Sequence, residues 1–228
     1  MAPSFALFGR TFASYGVMCA LGMLAALVTV LMLTRKYLEN LLHVMVLFAV
    51  SCIGAAAGAI VLHFIVCGSF EALRSGRYEI GFVYYGGLLG GLLFFALTAK
   101  LLHRDASPLS RVLLPAVPIA HALGRVGCFL GGCCFGILLK NGTRLPVQLI
   151  ESAYELFLFV LLLRYSSKNR PHLIRAYLLL YAPFRFVIEF FRGDEIRGFI
   201  GIFSTSQAIS LAIIACCLIS MVKKGRSA

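Results

Sequence analysis

Charge is scarce in this chain. Only 13% of its 228 residues are Asp, Glu, Lys or Arg, about half the ~25% usual in a soluble domain. The shortage is sharpest for acids, of which there are nine. Hydrophobic residues make up 61% of the chain, and mean hydropathy is +0.94. So few charges cannot clothe a soluble fold of this size, whereas apolar runs of the roughly 20 residues needed to cross hydrocarbon recur throughout. The chain also lacks low-complexity tracts and any connecting segment long enough for a separate soluble unit. It reads as a single polytopic membrane domain spanning residues 1–228. No cleavage-type signal is expected at its start. The run from Tyr15 to Leu33 is too long for a signal h-region and ends in Thr34-Arg35-Lys36 rather than at small residues.

The expected fold is all-α, with about seven transmembrane helices near residues 12–33, 41–66, 82–99, 112–136, 147–163, 173–191 and 206–222. The fourth is the least regular, because Pro115, Pro118, Gly131 and Gly132 interrupt it. Such breaks survive at membrane depth only where the freed backbone faces protein or a wet cavity. These spans divide the cations unevenly. Arg35, Lys36, Lys100, Arg104, Arg111, Arg164, Lys168, Arg170, Arg175, Lys223, Lys224 and Arg226 fall on one side; Arg10, Arg74, Arg77, Lys140, Arg144, Arg192 and Arg197 fall on the other. The positive-inside rule then sets the C-terminus in the cytoplasm and, with seven spans, the N-terminus outside. Part of the net charge of +12 meets anionic headgroups. The basic stripe interleaved with aromatics that nucleic acid requires is absent, so no nucleic-acid partner is expected.

Arg125 and Arg185 remain inside the spans. A guanidinium at a helix centre costs about 2.5–3.5 kcal/mol on the translocon scale, and intramembrane charges default to function. The simplest use of such a charge is to hold an anion. His121, Arg125 and Cys128 recur at helical spacing on one face, as do Tyr181, Arg185 and Glu189. Arg185 and Glu189, one turn apart, can pair within their helix, and Pro183 frees the carbonyl of Leu179 and bends it. Gln148, Glu151 and Glu155 form a third polar stripe. The bland alternative is that these stripes merely neutralise one another in a bundle interior. Gly86 with Gly90, and Gly87 with Gly91, make overlapping small-xxx-small patterns. These are first of all a helix-packing face, and they also let a lipid headgroup approach the backbone beside Tyr84 or Tyr85.

The eight cysteines, at 19, 52, 67, 128, 133, 134, 216 and 217, lie almost wholly in apolar runs. Most read as packed thiols, and Cys216-Cys217 near the cytoplasmic end is a weak acylation candidate. Cys128, Cys133 and Cys134 crowd beside Arg125. Their spacing is not one of the standard metal patterns, so neither metal nor cofactor is expected, with zinc or a disulfide as minority readings.

Taken together, these residues resemble the bacterial prolipoprotein diacylglyceryl transferases. GRVGCFLGGCCFG (124–136) resembles that family's signature, a Gly-Arg-x-Gly-Asn-Phe run leading to a Glu and a closing Gly, here Gly136. Tyr15-Gly16 is similar to its early Tyr-Gly, and Tyr85-Gly86-Gly87-Leu88 to its His-Gly-Gly-Leu. Pro115 and Pro118 precede the signature as they do there. Arg144 through Glu151 resembles its Arg-His-Pro-Ser-Gln-Leu-Tyr-Glu, and Tyr181 through Arg192 its Tyr-Gly-x-Phe-Arg-Phe-x-x-Glu-Phe-x-Arg.

The resemblance implies a multi-pass enzyme of the bacterial inner membrane, with its site facing the outer side. It implies transfer of the diacylglyceryl group of phosphatidylglycerol to the lipobox cysteine thiol of a prolipoprotein, releasing glycerol phosphate. The implied catalytic set is Arg125, Arg185, Glu189 and Glu151, to which His121 is added as a candidate base because family polar groups are replaced here. Tyr15, Tyr85, Gly86, Gly87, Cys128, Cys133, Gly136, Gln148 and Tyr181 would contact substrate. Arg125 and Arg185 would clamp the phosphate, and Glu189 or Glu151 would orient an arginine or take the thiol proton. His121 is either a base or a packing residue.

Departures from the pattern keep other readings open. Cys128 and Cys133 stand where the family has Asn and Glu, and Tyr85 where it has His. Leu145 and Val147 replace its His and Ser, and the segment between Gly136 and Pro146 is short. A divergent paralogue with the same lipid-binding core but another acceptor or another transferred group is one alternative. An acyltransferase working through a Cys128 thioester is a second. A non-catalytic lipid-binding or transport protein is a third, although the inverted repeats common in transporters are absent.

Overall fold

A computed structural model describes residues 3–7, 10–67, 83–167, 172–193 and 199–226. Of the cations counted above, Arg74, Arg77, Lys168, Arg170 and Arg197 lie outside the described residues, as does Phe82 at the start of the third expected span. The helices are α1 (Ser14–Tyr37), α2 (Leu41–Cys67), α3 (Tyr84–Leu101), α4 (Ala106–Leu113), α5 (Ala116–Gly131), α6 (Val147–Ser167), α7 (Leu173–Ile188) and α8 (Thr205–Arg226). Two small antiparallel hairpins accompany them, β1 (Ser4–Leu7) with β2 (Arg10–Ala13) and β3 (Phe199–Ile200) with β4 (Phe203–Ser204).

The architecture is that of an all-α membrane protein. Among the described residues, five stretches are long and apolar enough to cross a bilayer: Ser14–Tyr37, Leu41–Val66, Tyr84–Leu101, Ala106–Gly131 and Thr205–Lys223. Their large side chains turn outward, among them Leu24, Met32, Ile53, Ile65 and Leu93. In water that display would be a liability, whereas in lipid it is solvation. α6 and α7 are different. They carry Glu151, Glu155 and Arg185 buried against neighbours, while their Arg164 is exposed and their Arg175 half-buried.

Several boundaries differ from expectation, among them the ends of α1 and α6, which run on to Tyr37 and Ser167. The first helix starts at Ser14 because residues 10–13 belong to β2, whose hairpin ends with Ser14 N–H donating to the Pro3 carbonyl at 3.0 Å. The fourth span begins at Ala106 and its helix stops at Gly131, not 136. The sixth tightens into a 3-10 turn over Glu189–Phe191. Proline chemistry explains the break between α4 and α5. Pro115 cannot donate to the Arg111 carbonyl, and Ser166 Oγ of α6 does so instead at 3.2 Å. Pro118 likewise leaves the Leu114 carbonyl, which Val117 N–H takes at 3.1 Å. Near Pro183, Tyr154 Oη donates to the Leu180 carbonyl at 2.9 Å.

Glycines set the tightest helix pair. A Cβ built at Gly86 would stand 2.2 Å from the Gly58 carbonyl oxygen, and one at Gly90 would stand 2.3 Å from that of Gly54. The backbones of α2 and α3 therefore touch, antiparallel, through small residues, as membrane packing favours. Gly86→Val forces the helices apart, and overpacking of this kind costs about 1–3 kcal/mol. Gly124→Ala, whose Cβ would have nothing within 4 Å, removes a flexible residue from a helix and should stabilise by about 0.5–1 kcal/mol. Thermal unfolding in detergent should show the first melting several degrees below wild type and the second not below it.

Candidate active site

α5 and α6 run antiparallel, and the seam between them is a polar ladder. Gln148 Nε2 donates to the Cys133 carbonyl at 2.7 Å, Arg125 Nη2 to Glu151 Oε1 at 3.2 Å, and Ser152 Oγ to the Ala122 carbonyl at 3.0 Å; His121 Nδ1 lies 2.8 Å from Glu155 Oε1. On α6 these rungs fall at positions 148, 151, 152 and 155, the spacing of one helical face. Four polar side chains can share this apolar environment only because each has a partner across the seam.

Two guanidinium groups from different helices meet at one rung. Besides the Nη2 contact, Arg125 Nε is 2.9 Å from Glu151 Oε2. Arg185 on α7 places Nη1 3.3 Å from Glu151 Oε1 and 2.7 Å from Glu189 Oε2. Arg185 Nη2 donates to Ser206 Oγ on α8 at 3.3 Å. Arg192 reaches Glu189 Oε2 at 3.8 Å. Arg125, Arg185, Glu151 and Glu189 are all at most 6% exposed. Charges buried this deeply persist only when paired, and here three arginines share two carboxylates. The 3-10 turn over Glu189–Phe191 carries Glu189 and Arg192 just past the end of α7, beside Arg185.

Aromatic rings wall the cluster on the side of α3 and α7. Tyr84 stacks on His121 with centroids 3.5 Å apart, and its hydroxyl is 2.8 Å from that of Tyr177. Tyr181 lies against Tyr84 at 5.3 Å and Tyr85 at 5.7 Å. Tyr85 is directed elsewhere. Its hydroxyl bonds Ser210 Oγ at 2.5 Å, and Ser210 donates to the Ser206 carbonyl at 2.8 Å. Tyr85 therefore hydrogen-bonds to α8, whose Ser206 also meets Arg185, while Tyr84 is the tyrosine stacked face to face on His121.

α5 ends in a Schellman turn. Cys133 N–H donates to the Cys128 carbonyl at 3.1 Å and Gly132 N–H to that of Phe129 at 3.3 Å, with Gly132 at φ 76°. Cys134 follows at φ 56°, a left-handed conformation that a non-glycine residue seldom adopts. The three thiols of Cys128, Cys133 and Cys134 lie within 4.8 Å of one another. Tyr15 packs beside this turn, its Cδ2 3.3 Å from where a Cβ on Gly127 would stand. Gly136 then joins the segments carrying Leu145 and Arg192. Its N–H donates to the Leu145 carbonyl at 3.1 Å, and Gly193 N–H donates to the Phe135 carbonyl at 2.9 Å. A Cβ at Gly136 would fall 2.4 Å from the Leu145 oxygen, and one at Gly193 would fall 2.6 Å from the Gly136 oxygen, so these two glycines allow the close approach of the three segments beside Arg192.

The structure thus gathers Arg125, Arg185, Glu151, Glu189, His121, Tyr181 and Gln148 at connected positions. Cys128, Cys133, Gly136 and Tyr15 sit at the adjoining end of α5. Gly86 and Gly87 face α2 rather than the arginines. Sequence reasoning left out Tyr84, Glu155, Ser152, Ser206 and Arg192 as site members. Glu155 had a signal in its stripe with Gln148 and Glu151, whereas Ser206 had none, because nothing in the sequence separates it from the other small polar residues around it, Ser204, Thr205, Gln207 and Ser210. Gly124, next to Arg125, leaves open space where a Cβ would point.

The chain is similar over nearly its whole length to proteins of one family. A sequence model of the family described as prolipoprotein diacylglyceryl transferase matches residues 3–223. A Clostridium tetani protein named phosphatidylglycerol–prolipoprotein diacylglyceryl transferase is 33% identical over 232 residues, covering 92% of this chain and 92% of its own. A Clostridium perfringens protein of the same name, numbered 2, is 32% identical over 231 residues, covering 91% and 89%. A Dehalococcoides mccartyi protein of that name is 29% identical over 224 residues, covering 88% and 85%. With a match that runs nearly end to end, this chain is a bacterial membrane transferase and belongs to the prolipoprotein diacylglyceryl transferase family.

Proposed function

We propose that the chain transfers the diacylglyceryl group of phosphatidylglycerol to the thiol of a prolipoprotein lipobox cysteine. It does so from a seven-span frame in the inner membrane, with the N-terminus outside, the C-terminus in the cytoplasm and the site open to the outer side. The uneven distribution of cations supports that orientation. In the reaction an S–C bond forms at the terminal glyceryl carbon as the C–O bond to phosphate breaks. The electron pair leaves with glycerol phosphate, and the thiol proton passes to a base.

One observation carries the reading: Arg125 and Arg185, from separate helices, converge on a single buried carboxylate. Charge develops on the phosphate oxygens as they leave, and preorganised guanidinium groups in a dry site are well suited to stabilise it. The three arginines and two carboxylates of the cluster sum to one positive charge, which matches one phosphodiester. Glu151 and Glu189 are engaged with arginines, so the His121–Glu155 pair is assigned as the proton acceptor.

Purified protein with labelled phosphatidylglycerol and a lipobox peptide should give a thioether-linked diacylglyceryl peptide. His121→Ala should lower kcat by about 10²–10⁴-fold, the usual contribution of a general base, with little change in KM for the lipid. Phospholipid turnover without peptide modification would instead favour a different acceptor. The cysteines at positions 128 and 133, and Tyr85, each replacing a polar family residue, make that second reading specific.

A further inference from the structure

We infer that Cys128, Cys133 and Cys134 form a binding site for one thiophilic d10 metal ion, with zinc as the test ion. The spacing in sequence argued against a metal. The fold changes that, because the Schellman turn at Gly132 and the left-handed backbone of Cys134 fold the chain back on the last turn of α5. All three sulfurs come within 4.8 Å of one another. Three thiolates sharing one zinc at ~2.3 Å stand roughly 3.8–4.0 Å apart, so movements of under an ångström close the site.

The chemistry of the surroundings fits as well. Binding exchanges three thiol protons for one divalent cation, with no change of oxidation state, and leaves one net negative charge. Arg125, one turn before Cys128, interacts electrostatically with Cys128 and Cys134, and Arg192 does so with Cys134. Two cations thus face a complex of opposite sign. Cys133 is the exposed member and gives the ion a way in, leaving the fourth position to water. The ion would fasten the turn 131–134 to α5 one helical turn from Arg125.

Reduced full-length protein in detergent should bind one equivalent of zinc in competition with a chromophoric chelator. Cobalt in its place should show thiolate-to-metal charge transfer. Cys128→Ser, Cys133→Ser and Cys134→Ser should each weaken zinc binding by at least the ~100-fold that even outer-shell losses can reach, while Cys216→Ser should not. The cobalt spectrum of the wild-type protein needs no variant, so a substitution that fails to fold does not remove the test. Folded, reduced protein that takes up no zinc overturns the site. So does binding that survives all three substitutions, or a disulfide among the three in protein purified without added oxidant. Because metal uptake is read without turnover, failure of the transfer assay leaves this result standing, and the reverse also holds.

Discussion

Arg185→Ala is expected to reduce diacylglyceryl transfer by at least ~10³-fold and to lower stability by about 3–5 kcal/mol. The second figure is the usual result of removing one partner from a buried ion pair. Arg185 spans Glu189 at 2.7 Å, Glu151 at 3.3 Å and Ser206 at 3.3 Å, so truncation weakens the pairing of two buried carboxylates at once. The first figure follows from the reaction. Loss of a single preorganised donor to a developing oxyanion commonly reduces turnover by about 10²–10³-fold, and a guanidinium supplies more than one donor. Arg185→Lys separates the two effects. It keeps the charge, and with it part of the stability, but an ammonium cannot hold three partners with fork geometry. Its melting temperature should therefore lie between wild type and alanine while its turnover stays close to that of alanine. Arg125→Ala should behave like Arg185→Ala, because Arg125 meets Glu151 through two nitrogens. Full turnover in either alanine variant, measured with labelled lipid at saturating peptide, would remove the phosphate clamp.

Much of this site is legible in the sequence because helical periodicity is local. The spacing of Arg185 and Glu189 is enough to predict an intrahelical pair, and one is present at 2.7 Å. The stripe at 148, 151 and 155 identifies a polar face of α6. What spacing cannot supply is the facing partner. That Glu151 lies between Arg125 and Arg185 depends on how α5, α6 and α7 pack, and no one helix encodes it. Tyr84 and Tyr85 show the same limit. Adjacent helical residues point about 100° apart, and only the position of α5 decides that Tyr84 stacks on His121 while Tyr85 turns to Ser210. The thiol trio is legible as crowding beside Arg125, but the meeting of its three sulfurs is not, for a different reason. It depends on a left-handed backbone at Cys134, where sequence rules expect glycine or asparagine. The N-terminal hairpin was missed because its apolar residues, Phe5 and Phe12 among them, continue the composition of the first span. Their register, Phe5 opposite Phe12, is visible only once the strands pair.

Glu151→Gln tests the clamp from the opposite side. Glutamine keeps the shape of the side chain but removes the negative charge between Arg125 and Arg185, so two buried guanidinium groups face each other with less compensation. Stability should fall by about 3–5 kcal/mol, as when any buried pair loses one member. If a phosphodiester binds where those guanidinium groups converge, an anionic lipid supplies the charge the variant lacks. Micelles containing phosphatidylglycerol should then raise the melting temperature of Glu151→Gln more than that of wild type, since a ligand stabilises according to its affinity for the folded state. Micelles containing diacylglycerol, which has the same acyl chains and no phosphate, should raise neither selectively. Turnover should still fall by ~10²-fold or more, because Glu151 braces both arginines and misdirected donors stabilise a leaving phosphate poorly. The two readouts therefore move in opposite directions, with lipid binding retained or tightened and kcat lost. A carboxylate that served only to pack the bundle would lower stability without making it sensitive to the headgroup. Equal stabilisation of variant and wild type by phosphatidylglycerol would place the phosphate somewhere other than at Arg125 and Arg185.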